Sequence, residues 1–130
     1  MNIRRFREIV VQAIDGLPEE FGRALDNIEI VVEDWPSAEQ LRHFGQREGL
    51  GESGGHFLLL GLYQGLPKGR RQTLFYSGVL PDKITLFRKS IERFCAGDEE
   101  RMSQQIRKTL LHEIGHYFGI DDRRLRSLGY

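Results

Sequence analysis

LLHEIGHYFGIDDRRL, residues 110–125, packs more chemistry into sixteen positions than the rest of the chain together. His112 and His116 stand four apart, with Glu113 directly after the first. Residues four apart on an α-helix lie one above the other on the same face, so both imidazoles can reach one metal ion. Glu113 is turned about 100° further round, beside such an ion rather than on it, where its carboxylate can take a proton from a water on the metal. Two histidines and one further ligand, with a fourth position left open, describe a catalytic zinc site. Zinc draws the pKa of its water toward neutrality and Glu113 assists as general base, which yields a nucleophile suited to amide hydrolysis.

The residues after the second histidine carry more weight than the histidines themselves. A shuffled chain of this composition would contain H-E-x-x-H roughly once in a hundred sequences, and requiring Gly119 and Asp122 as well lowers this to about one in twenty thousand. Gly119 has a physical purpose, because helices often end on a glycine in the left-handed conformation. A stop there reverses the chain, so that Asp122, six residues after His116, can reach back and complete the ligand set. A second role competes for the same residues: Asp121 or Asp122 can N-cap a short final helix, RRLRSL, and capping by one leaves the other to ligate. The plain alternative for His112 and His116 is a polar stripe on a solvated helix face, and for Glu113 a surface carboxylate.

Upstream, Asp98 is placed to cap the motif helix, with Glu99 and Glu100 set favourably against its dipole. At the other end of the chain Ile3, Phe6, Val10, Ala13 or Ile14, and Leu17 recur at helical spacing, and Gly16-Leu17-Pro18 ends that helix. A second short helix is predicted over Glu19 to Leu25, and strands over Ile28 to Val32, Phe57 to Tyr63 and Ile84 to Phe87. The second of these, apolar on both faces, is predicted to be the central one. Ser37 can cap a brief helix through Leu41, and Ser90 to Cys95 suggests another. GQREGLGESGG, residues 45–55, reads as a mobile loop, and residues 65–77 as a polar connection. The pattern is an α+β fold in which the N-terminal helix and the motif-bearing helix cover one face of a small sheet.

The chain has 130 residues, read as one domain spanning 1–130, with 39% hydrophobic and 29% charged residues. Lys plus Arg equals Asp plus Glu at 19 each, so no global field favours nucleic acid or an anionic membrane. Basic residues gather at Lys68, Arg70 and Arg71 and at Arg123, Arg124 and Arg126, read as solvated loop and tail. The lone Cys95 permits no intrachain disulfide and reads as a small buried residue. Arg and Glu interrupt the apolar N-terminal run, which breaks any signal-peptide pattern, and FLLLGLY at 57–63 is too short to span a bilayer. These features set the expectation of a cytoplasmic protein without a membrane partner. His43 and His56 stand isolated and read as structural or solvent-exposed.

HEIGHYFGIDD, preceded by GVLPDKITLFR, resembles the minimal zincin-like metallopeptidase family of small bacterial proteins. The likeness takes in the helical N-terminus and VVEDWPSAEQL, and His112, Glu113, His116, Gly119 and Asp122 match the family's H-E-x-x-H-x-x-G-x-x-D pattern position by position. It implies a compact minimal zincin-like fold, a small mixed sheet packed against an N-terminal helix and a C-terminal motif-bearing helix. It also implies one zinc ion on His112, His116 and Asp122, with Glu113 as the catalytic base. The pattern is similar to that of metzincin proteases too, but no methionine follows the motif, and no later glutamate offers a thermolysin-like third ligand. In zincin-like folds an edge strand ahead of the motif helix pairs with the substrate backbone. Ile84 to Phe87 is the candidate, with a place in the core as its competing reading. Tyr63, Tyr76 and Tyr130 are each available to stabilise an oxyanion, and nothing in the sequence selects among them.

Three functions follow. The leading one is a zinc-dependent metallopeptidase acting on a peptide or unfolded protein. A metal-dependent endoribonuclease shares part of the spacing, but such enzymes lack a glutamate at the position of Glu113, and the chain has no net positive charge. A non-catalytic zincin-like module that binds a peptide or protein is the third, since 130 residues leave little room for a deep cleft.

Overall fold

The first helix, α1, covers Ile3–Asp15 in the computed structural model. The structure describes residues 1–48, 58–65, 82–127 and 129, with the backbone alone at 45–48 and 122. Asn2 caps α1 by accepting the Arg5 amide proton at 2.8 Å, and the helix stops at Gly16 ahead of Pro18, as its spacing predicts. Phe6, Ile9, Val10 and Ala13 form its buried stripe. Helix α2, Glu19–Ala24, and a 3-10 turn at Leu25–Asn27 lead into β1, Ile28–Glu33. Helix α3, Ala38–Glu48, opens on a reciprocal capping box: the Gln40 amide donates to Ser37 Oγ, and the Ser37 amide donates to Gln40 Oε1. It runs past Leu41, where the brief expected helix ended, and includes 45–48 of the expected loop. Gln46, Arg47 and Glu48 are good helix formers, and the single Gly45 costs only about 1 kcal/mol. Residues 49–55 of that loop lie outside the described residues.

The remaining elements are β2 (Gly61–Gln64), β3 (Asp82–Phe87), α4 (Arg88–Phe94), α5 (Glu99–Tyr117) and α6 (Asp122–Ser127). Among the described residues the sheet has three strands in the order β1-β3-β2. β3 runs parallel to β1, with Ile30 opposite Ile84, and antiparallel to β2, with Tyr63 opposite Ile84. Two sequence expectations change places here. Ile84 to Phe87, the candidate substrate-pairing edge, lies in the central strand, hydrogen-bonded on both sides, so it has no free edge for a peptide. The segment ending at Tyr63, expected at the centre, is a short flanking strand. Within β2 the apolar character has another source, since Tyr63 faces the main core and Leu62 the smaller cluster on the other side. Leu58, by contrast, is exposed, and Phe57 lies outside the described residues.

One face carries the main core. Ile28, Ile84, Leu86 and Tyr63 pack there against the buried stripe of α1 and against Met102, Ile106, Leu110 and Ile114 of α5. Both long helices therefore lie on the same face, as expected. A smaller cluster, Leu62, Phe87 and Leu59, takes Leu41 and Phe44 of α3 on the other side. Where β2 meets α5 there is no room for a side chain: a Cβ on Gly61 would stand 2.6 Å from Thr109 Cγ2. Arg5 of α1 pairs with Glu99 in the first turn of α5, holding the Glu99 carboxyl below its usual range. Cys95 is buried, and burial pushes its thiol up, which fits a packing residue rather than a nucleophile. No helix among the described residues is long and apolar enough to cross a membrane.

Candidate metal centre

α5 starts where the sequence places it, with Asp98 accepting the Arg101 amide proton. Three turns on, it carries the motif. His112 and His116 stack along one face, ring centroids 5.1 Å apart and nearly perpendicular. One nitrogen of each and one Glu113 oxygen all lie within 4.8 Å of one another, so an ion held by the two imidazoles would have this carboxylate beside it. Paired imidazoles at this spacing suit zinc. His112 is half-buried, whereas His116 and Glu113 are only 8% and 4% exposed. A stripe of solvated polar residues would not be enclosed in this way.

Glu113 faces β2. Hydrogen-bonding positions alternate along an antiparallel strand. Phe87 donates to the Leu60 carbonyl and Leu62 stands opposite Thr85, which leaves the backbone groups of Gly61 and Tyr63 directed away from β3. The Tyr63 amide uses that direction to donate to Glu113 Oε1 at 2.7 Å, a buried bond that sets the plane of the carboxylate. Sequence reasoning could not see this partner, because the donor is a backbone group fifty residues away. The side chain of Tyr63 points into the core, where its ring packs edge-on against Tyr117 at 6.3 Å. That removes it from the oxyanion candidates, while Tyr76 and Tyr130 lie outside the described residues. His43 is exposed on α3, and His56 also lies outside the described residues.

Gly119 ends the helix as predicted, at φ +81°. Its amide donates to the His116 carbonyl and the Ile120 amide to the Gly115 carbonyl, which together form a Schellman closure. The chain then turns into α6. Asp121 is the cap: its Oδ1 accepts the Arg124 amide proton at 2.8 Å, and its side chain is exposed. Asp122 is the first residue of α6, described by its backbone alone. What holds α6 against the motif helix is Leu125, fully buried over Gly115. A Cβ on Gly115 would lie 2.3 Å from Leu125 Cδ2. The signal for this contact was present in the sequence, since a glycine inside a helix costs about 1 kcal/mol and asks for a packing reason.

A buried glutamate and two histidines on one helix, with a glycine-closed turn behind them, can be set beside known proteins. The family model for zincin-like metallopeptidases matches residues 25–130. The chain belongs to that family. The zincin-like match begins at Leu25, so α1 and α2 lie before the matched span. Among solved structures, a conserved hypothetical protein from Thermus thermophilus is similar at 22% identity, with 98% of this chain and 97% of that chain covered and a TM-score of 0.51. That likeness is one of fold, and it does extend over the N-terminal helices of this zincin-like chain. Comparison with curated proteins finds no match.

Proposed function

We propose that the protein is a zinc-dependent peptidase that hydrolyses extended or unfolded polypeptide. In this reading His112, His116 and Asp122 hold one zinc ion and Glu113 is the general base. The observation that carries it is the enclosure of Glu113, 4% exposed, bonded to the Tyr63 amide and within 4.8 Å of both histidines' donor atoms. When bound, zinc supplies Lewis-acid polarisation and an acidified water.

The chain's own part is positional. The Tyr63 amide holds one Glu113 oxygen, so the carboxylate meets a proton donor in one orientation rather than several. Burial keeps bulk water from competing for that carboxylate. His112, half-buried, stands on the solvent side, where a substrate carbonyl would approach. Asp121 is engaged in capping α6, which leaves Asp122 as the aspartate for the metal and supports the assignment made from spacing.

The test is metal content together with cleavage of a peptide library. Wild type should take up one zinc per chain and cleave, and His112→Ala should lose the metal. Glu113→Gln should keep the metal and lose activity by about a hundredfold or more, the scale of a general base. Wild-type protein that takes up no zinc from a stoichiometric supply would end the reading. Zinc binding with no cleavage by wild type would leave a module that binds peptide without turnover.

A further inference from the structure

A cavity of about 170 Å³ opens beside His112 and Glu113, between β2 and α5. Its volume equals that of roughly five to six waters, room for one side chain of four or five heavy atoms. Phe44, Leu59 and Leu60 make one wall apolar. The opposite wall is a single face of α5, where Lys108 lies one turn before His112. Gly61 and Thr109, which approach closely where β2 meets α5, both line it, as do His112 and Lys108 on the α5 side. Among the described lining residues Lys108 is the one permanent cation, and it is exposed.

We infer that this cavity is a specificity pocket for a substrate group that carries a carboxylate on an apolar stem, with the stem against Phe44, Leu59 and Leu60 and the carboxylate on Lys108. The placement suits a residue flanking the bond to be cut. Four residues of helix rise about 6 Å, which separates Lys108 from His112 by the length of one side chain. The carboxylate has two possible sources, a glutamate-like side chain or the C-terminus of the substrate. That the bound group belongs to a substrate rests on the peptidase reading, whereas the selectivity of the pocket does not. Because the ammonium is solvent-exposed, the preference it confers is modest, about three- to fivefold, and sensitive to salt.

Binding to the zinc-loaded full chain carrying Glu113→Gln, measured by calorimetry, separates these cases. Two pairs of probes are compared: acetyl-Ala-Ala-Glu-amide against acetyl-Ala-Ala-Gln-amide, and acetyl-Ala-Ala-Leu as the free acid against its amide. The acid should bind about three- to fivefold more tightly than its neutral partner in one pair, and that pair identifies the source of the carboxylate. Adding Lys108→Gln should abolish the difference, and Lys108→Glu should invert it. Lys108 is exposed, so both variants should keep the parent's melting temperature. Equal binding of acid and neutral probes, no binding of any probe, or a preference that survives Lys108→Gln would each overturn the assignment. Cleavage of the same peptides by wild type is scored separately. A Lys108-dependent preference without cleavage upholds the pocket and removes the peptidase, and cleavage without the preference does the reverse.

Discussion

Gly119 shows how a single residue can be assigned from physics alone. Its φ of +81° lies where an L side chain is strained, yet a Cβ there would meet nothing within 4 Å. Gly119→Ala therefore carries a backbone penalty with no packing penalty. We expect a loss of about 1 kcal/mol, read as a lower urea midpoint at unchanged slope. Gly115, four residues earlier, is the opposite case. Its helical backbone suits alanine, but the space is already filled by Leu125.

The contact between α5 and α6 is where that difference acts. Gly115→Ala should gain up to about 1 kcal/mol in helix propensity and lose more, about 1–3 kcal/mol, to overpacking. Asp122 opens α6, so if it is the third ligand as proposed, displacing the helix should also weaken zinc binding about ten- to a hundredfold, as happens when residues supporting a ligand are changed. Leu125→Ala should cost about 2–5 kcal/mol by leaving a cavity. The double variant places the new methyl in that space. It should be more stable than the two single changes sum to, by at least about 1 kcal/mol in a double-mutant cycle. Simple additivity would mean that α6 does not depend on this contact.

Across the whole molecule, metal and fold should be linked. Free zinc at a hundred times its dissociation constant stabilises the binding fold by about 2.7 kcal/mol, so a chelator should lower the melting temperature by roughly 10 °C. His116→Ala should melt at the same temperature with or without chelator. The parts of this architecture that were legible in the sequence are local ones. Asp98 and Gly119 mark the ends of the motif helix through cap chemistry within a few residues, and the stripe from Phe6 to Ala13 marks α1 through its spacing. Strand order was not legible. Ile84 to Phe87 and the segment before Tyr63 are similarly apolar, and which is flanked on both sides depends on β1, some fifty residues away in the chain. The site divides in the same way. His112, Glu113 and His116 were readable because one helix carries them. The Tyr63 amide and the wall of Phe44, Leu59 and Leu60 were not, because folding brings them in from other elements.

The bond from Tyr63 to Glu113 makes the motif glutamate a rivet between sheet and helix, apart from the base role proposed for it. Glutamine keeps an oxygen for that amide and loses only the charge. Alanine leaves a buried N–H with no acceptor, at a cost of about 1–3 kcal/mol. Glu113→Gln should therefore melt close to wild type once both are stripped of metal, while Glu113→Ala melts several degrees lower. Equal melting of the two variants would mean that the rivet carries no load.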